Sequence, residues 1–277
     1  MDFSLTTLGT ASARPTTGRY PSAHSLTVGG RLFLIDCGEG AQMLLAKYKL
    51  PFSRIDNIFI SHLHGDHVFG LYGLLSTMDM VGRASALHIY APGDIESMVD
   101  TFYREFGKVR YEIVIHKVKC SEPLLLEIFK NLEVYAFPLR HRVETYGYLF
   151  KEKERVIKPN IENYIPFKPR AFAYCTDTAP FPQLAGWIKG ADLIYHEATY
   201  ASDLKALSRT TAHSTSEDAA RVAVEAGAQK LVLGHFSSRY KNLDLLLQEA
   251  RNIFAETYLA EEGMKFDVPK IRVNQIK

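Results

Sequence analysis

Residues 62–67 read His62-Leu63-His64-Gly65-Asp66-His67 and directly follow Ile58-Phe59-Ile60-Ser61, an apolar, β-prone run. Such a run reads as a buried strand, so the four polar side chains fall on a tight loop at a strand end. His62 and His64 can point one way, Asp66 and His67 another. Imidazole and carboxylate are ligands for zinc and related divalent ions, and one open catalytic zinc needs fewer groups from a single loop. The loop therefore reads as a holder for two metals side by side, completed by ligands from elsewhere. A lone histidine beside a strand is ordinarily a hydrogen-bonded core or surface residue. Four metal-capable residues in six positions are not explained that way.

A chain of 277 residues can bury a large core, as one big α/β domain or two smaller ones. No apolar run approaches a membrane span. Met1-Asp2-Phe3-Ser4-Leu5 carries no basic region followed by an apolar stretch, so no secretory signal is expected. The three cysteines, Cys37, Cys120 and Cys175, are far apart and form no CxxC pair. Neither a disulfide framework nor a thiolate zinc site is suggested, and the cytoplasm is the expected compartment. A net charge of +2 does not argue for nucleic acid by itself.

Strand-like runs recur at 5–8, 25–28, 31–35, 57–60, 87–90, 112–116, 133–138, 145–150, 171–174, 193–195 and 230–234. Helical patterns appear at 40–48, 71–81, 94–106, 183–188, 214–226 and 243–254. Strands at the centre with helices outside make a layered α/β architecture. No linker or low-complexity tract interrupts the chain, and residues 1–277 read as a single domain. The helix over 214–226 is well marked: Ser214 or Thr215 can cap it, Glu217 and Asp218 suit its first turn, and Gly227 ends it.

Several polar residues follow other apolar runs. His141 comes after Ala136-Phe137-Pro138-Leu139, Asp177 after Phe172-Ala173-Tyr174-Cys175-Thr176, His196 and Glu197 after Leu193-Ile194-Tyr195, and His235 after Leu231-Val232-Leu233-Gly234. In open α/β sheets, strand ends on one edge are where sites form. Each residue alone is a polar group leaving a strand; together they exceed what folding requires.

The loop His62–His67 resembles the HxHxDH signature of the metallo-β-lactamase superfamily, whose fold is a four-layer αββα sandwich with the metal site at one edge. His141, Asp177 and His235 match the rest of that pattern in order. The resemblance implies that His62, His64 and His141 hold one Zn2+, that Asp66, His67 and His235 hold a second, and that Asp177 bridges them. Mn2+ suits the same ligands. The match narrows to the ribonuclease Z family, tRNA 3′-processing endonucleases. Ile35-Asp36-Cys37-Gly38-Glu39-Gly40-Ala41-Gln42, His196-Glu197-Ala198-Thr199, His213-Ser214-Thr215 and Gly234-His235-Phe236-Ser237-Ser238-Arg239-Tyr240 carry it. Asp66 is then both ligand and proton acceptor. Glu197 and His213 form a carboxylate–imidazole pair that protonates the leaving oxygen. Ser237 and Arg239 bind substrate phosphate. His24, His88 and His116 match no part of the pattern and read as structural or surface residues.

The resemblance also implies RNA, a tRNA precursor, as substrate and a homodimer as the assembly, with no membrane partner. Two features depart from the family. His141 and Asp177 stand only 36 positions apart, where the family usually carries a long tRNA-gripping arm; here a stub at 151–168 replaces it. Pro15-Thr16-Thr17-Gly18-Arg19-Tyr20 keeps the Pro and Arg of a PxKxRN loop but lacks its Lys and Asn. The runner-up reading is therefore a metal-dependent phosphodiesterase for small or other nucleotide diesters. A thioester or lactam hydrolase of the same fold comes third.

Overall fold

The computed structural model describes residues 2–154, 167–268 and 270–271. The chain starts with the antiparallel strands β1 (Phe3–Gly9), β2 (Ala23–Val28) and β3 (Arg31–Cys37). Helix α1 (Ala41–Lys47), strand β4 (Ile55–Phe59), the single turn α2 (Gly65–Val68), helix α3 (Leu71–Met80), β5 (Leu87–Ala91), α4 (Ile95–Phe106) and β6 (Ile113–Lys117) follow. The second half opens with β7 (Leu124–Phe129), β8 (Leu132–Pro138) and β9 (Tyr146–Glu152). It continues through β10 (Ala171–Cys175), α5 (Gln183–Trp187), β11 (Leu193–Glu197), α6 (Lys205–Thr211), α7 (Ser216–Ala226), β12 (Lys230–Gly234), α8 (Asp244–Arg251), β13 (Thr257–Leu259) and β14 (Lys265–Asp267).

These strands form two seven-stranded sheets, ordered β14-β1-β2-β3-β4-β5-β6 and β13-β12-β11-β10-β9-β8-β7. Each is antiparallel on one side and parallel on the other: β3 to β6 run parallel in the first, β10 to β13 in the second. Large apolar side chains from both sheets, among them Phe33, Phe59, Tyr148, Phe150 and Phe172, share one buried cluster. Phe59 meets Phe150 edge-on at 5.2 Å between ring centres, and truncating such a side chain to Ala costs about 3–5 kcal/mol. Leu44, Leu71, Leu74 and Leu75 of α1 and α3 pack on the outer face of the first sheet. Leu184, Ala219, Ala223 and Leu246 of α5, α7 and α8 pack on the outer face of the second. The result is the αββα sandwich.

Parallel halves align their carboxyl ends, and this alignment builds the rim. The loop after β4, the segment after β10, the end of β11 and the residue after β12 all emerge on one edge. β8 runs antiparallel to β9, which runs antiparallel to β10, so the end of β8 emerges there as well.

Four elements differ instructively from the sequence expectation. The helix expected over 214–226 begins at Ser216, with Thr215 as its cap: the Thr215 side chain accepts from the Asp218 N–H and the Asp218 carboxylate accepts from the Thr215 N–H. Such a cap stabilises a helix by about 1 kcal/mol. Strand β7 went unread because Leu124, Leu125 and Ile128 are exposed, so no alternation of buried and polar positions marks it. β13 and β14 are three residues each, too short for a period-2 signal. Residues 155–166 of the expected stub, with Arg155, Pro159 and Pro166, lie outside the described residues.

Candidate metal centre

The loop His62–His67 leaves β4 and turns at once into α2. Gly38 faces it so closely that a Cβ there would stand 2.5 Å from the Asp66 carbonyl oxygen. Three metal-capable groups of side chains result, two of them with no residue in common. His62, His64, His141 and Asp177 place one ligand atom each within 4.8 Å of one another, and so do Asp66, His67 and His235. Asp177 stands between them. Its Oδ2 lies 3.7 Å from His62 Nε2 and 3.8 Å from His141 Nε2. Its Oδ1 lies 3.4 Å from His67 Nε2 and 3.1 Å from His235 Nε2. Asp66 Oδ2 is 3.6 Å from His67 Nε2 and 3.5 Å from His235 Nε2, and it accepts from the Ala13 N–H at 2.8 Å.

The outward nitrogens of four of these rings are held by protein. His67 Nδ1 donates to Asp36 Oδ2 at 2.7 Å. His141 Nδ1 donates to the Ala212 carbonyl at 3.0 Å. Ser61 Oγ spends its single proton on Asp36 Oδ2 at 2.9 Å and so accepts from His62 Nδ1 at 3.0 Å. Thr199 Oγ1 donates to Glu197 Oε2 at 2.7 Å and accepts from His235 Nδ1 at 3.0 Å. The inward Nε2 atoms of His67, His141 and His235 are buried with no hydrogen-bond partner. A buried, oriented nitrogen with nothing to bind is unfavourable unless a cation occupies the space before it. Imidazole and carboxylate fit a zinc-type divalent ion.

Electrostatics agree. Burial pushes the Asp177 carboxyl up, but His235, His67 and His62 outweigh it and hold the group well below the usual carboxylate range. Burial also opposes charge on His67, and Asp36, Asp177 and Asp66 overcome it and drive its pKa well above the ordinary value. The pocket is thus built to carry positive charge beside its carboxylates.

Glu197 ends β11 and is fully buried. Its Oε1 accepts from His213 Nδ1 at 2.8 Å. Burial alone would keep His213 neutral, but Glu197 and then Asp177 raise its pKa to about 9. The pair thus favours the protonated form of this ring. The ring also converges within 4.8 Å of the ligand atoms of Asp177 and His235. Glu197 therefore touches both kinds of chemistry: one oxygen holds this ring, the other braces His235 through Thr199.

Sequence reasoning assigned no role to Asp36 or Thr199. Asp36 is completely buried at a bulge in β3, with a left-handed φ of 55°, and accepts from Ser61 N, Ser61 Oγ, Tyr174 OH and His67. An aspartate inside the apolar run Leu34-Ile35-Asp36-Cys37 was the available signal. His235 shares the unusual backbone at φ 57°, and strain of this kind costs about 1–3 kcal/mol. Ser237 is buried, accepting from the Arg239 N–H at 3.4 Å, and Arg239 is exposed; neither enters the metal-capable groups. His24 is buried between Tyr174 and Tyr195, and burial, then His67 and His235, hold its pKa down at about 3. His88 and His116 pair at 2.9 Å, half-buried and apart from the rim groups.

The family model for the Beta-lactamase superfamily domain matches residues 31–236, and fold and site together define a metal-dependent hydrolase of that superfamily. Ribonuclease Z of Porphyromonas gingivalis is 38% identical over 96% of this chain and 99% of its own length. Ribonuclease Z of Bacteroides thetaiotaomicron is 39% identical, covering 95% of this chain and 94% of its own. The crystal structure of the short form of human tRNase Z superposes with a TM-score of 0.79 at 29% identity, covering 96% of this chain and 99% of that one. The chain belongs to the ribonuclease Z family. Among the described residues no helix is long and apolar enough to cross a membrane.

Proposed function

We propose that this protein is the endoribonuclease that cleaves tRNA precursors at their 3′ ends, acting in the cytoplasm as a homodimer of single-domain chains. One observation carries the reading: metal-capable groups and an imidazole held by a buried carboxylate meet at one rim. Cleaving an RNA phosphodiester expels a poor alkoxide, which needs a proton that a thiolate would not need. The relatives named ribonuclease Z point to the same class of substrate.

His62, His64 and His141 would hold one Zn2+ and Asp66, His67 and His235 the other, with Asp177 between them. When bound, two such ions supply nucleophile activation and neutralise phosphate charge. Asp66, fixed by the Ala13 N–H, accepts the proton of the attacking water. His213, held by Glu197, gives its proton to the departing ribose oxygen, a contribution of about 10²–10⁴-fold. Ser237 and Arg239 hold the phosphate from the loop after β12. Glu197 also ties the acid to ligand His235, so the proton donor and the metal pocket stay in register.

The test compares metal-reconstituted protein on a tRNA precursor and on a chromogenic phosphodiester. Cleavage of the precursor at its 3′ boundary supports the reading. Turnover of the small diester alone transfers it to the runner-up, a phosphodiesterase for small nucleotide diesters, which the short interval between His141 and Asp177 favours.

A further inference from the structure

A groove of about 430 Å³ opens onto His64 and Asp66, and Phe69 and Arg142 stand on its walls with Pro15 and Glu39. Phe69 is 71% exposed. A single exposed apolar side chain is ordinary, but this one is exposed and also fixed. Its N–H donates to the Gly65 carbonyl at 2.9 Å, and its ring occupies the space where a Cβ on residue 65 would be. Glycine at position 65 thus serves as the seat for an aromatic ring beside the metal loop. Arg142 is exposed, and among the described residues it has no ion pair or side-chain hydrogen bond. A seated ring and a free guanidinium facing one groove offer a π-face and a phosphate fork together.

We propose that Phe69 and Arg142 form a nucleotide clamp at the mouth of the metal centre, Phe69 stacking on the base next to the cleaved bond and Arg142 pairing with that nucleotide's phosphate. The inference rests on the proposed RNA-cleaving function and deepens it. A base can stack on Phe69 only if it is free of its own helix, so the clamp selects substrates that are unpaired at the nucleotide flanking the cut. It also gives grip without an arm, because the contacts lie at the site itself.

The test uses metal-loaded full-length protein and three RNA precursors: one intact, one abasic on the 5′ side of the cut and one abasic on the 3′ side. Phe69→Ala should lower kcat/KM on the intact RNA roughly ten-fold or more, chiefly through KM, as expected for loss of one base–aromatic stack. One of the two abasic RNAs should show a matching loss with wild-type protein and little additional loss with Phe69→Ala. Phe69→Trp should restore cleavage of the intact RNA. Arg142→Ala should weaken binding and flatten its salt dependence by about one phosphate contact. Metal content of each variant is measured alongside. The clamp is overturned if Phe69→Ala is silent on intact RNA, or if it impairs all three RNAs equally, which would make Phe69 a prop for the metal loop. Wild-type protein that cleaves no RNA while hydrolysing a small phosphodiester would overturn the RNA reading itself, and the clamp with it.

Discussion

The two sheets brace the rim with the same wiring and use it for different ends. On the first sheet, Asp36 takes one imidazole directly, His67, and a second, His62, through the hydroxyl of Ser61. On the second, Glu197 takes His213 directly and His235 through the hydroxyl of Thr199. Both carboxylates are fully buried, and both hydroxyls have their one proton committed. At Asp36 both imidazoles belong to the metal-capable groups. At Glu197 they do as well, but His213 groups only with Asp177 and His235, and it is the ring proposed to carry the proton. A carboxylate–hydroxyl–imidazole relay thus works as a positioning device independent of the task of the ring it holds. What differs is the exposure of the ring: His67 is fully buried with its Nε2 unpartnered, whereas His213 keeps 7% exposure.

Four experiments break or sharpen this comparison, taken from the largest expected effect downward. Asp177 faces both groups, one oxygen each, so Asp177→Ala should abolish two-metal occupancy and reduce cleavage to the metal-free level; His64→Ala, on the half-exposed side of one group, should spare the other ion. Elemental analysis decides, and an Asp177→Ala protein still holding two ions per chain would show that the groups do not share a ligand.

His213→Ala should keep its metals and lose about 10²–10⁴-fold on RNA, with a smaller loss on a nitrophenyl leaving group that barely needs a proton. Loss of one metal instead would make His213 a ligand. The pH profile adds a sign. A pKa raised to about 9 keeps the acid loaded below that value and unloads it as pH rises through it, so the rate should fall on the alkaline side. Glu197→Gln removes the group that holds the pKa up, so that limb should move to lower pH; an unmoved limb would assign it to another group.

The two relays themselves come next. Asp36→Asn leaves two rings poorly held and Thr199→Val one, so metal affinity should fall about 10–100-fold in each, more in the former. Competition with a chelator measures it, and equal, negligible losses would reduce both relays to packing. The smallest effect concerns salt. With a short interval between His141 and Asp177 in place of a long arm, log affinity for a tRNA precursor should fall shallowly with log salt, each phosphate contact adding about 0.7–0.9 to the slope. A steep slope, with far better cleavage of the full precursor than of a minimal acceptor stem, would reveal a grip on the elbow that the described residues do not provide.

The same comparison explains what could be read without a structure. The first sheet's contribution is local: four metal-capable residues in one turn, made conspicuous by the apolar strand before them. The second sheet's contribution is dispersed over the ends of β8, β10, β11 and β12 and the start of α7. Strand ends were visible as apolar runs, and the resemblance supplied the order of residues. Their convergence was not visible, because nothing in local periodicity says that two parallel halves put their carboxyl ends on the same edge. Short or exposed strands such as β7, β13 and β14 lacked any period to read.

The sequence by itself determined a layered α/β architecture, through its alternation of apolar strands and helical patterns, and the donor chemistry, through histidine and aspartate at strand ends; the αββα sandwich came with the family resemblance. The resemblance implied how the donors divide, and only the tertiary structure decided the distances between them and what braces them. It set Asp177 between two groups, gave Asp36 and Thr199 their work, and seated Phe69 on Gly65 at the groove. The reason is physical. Composition and periodicity act over a few residues, whereas a bridging carboxylate, a shared hydroxyl proton and a seat for a ring are distances between segments far apart in the chain, set when the sheets pack and the loops meet at their rim.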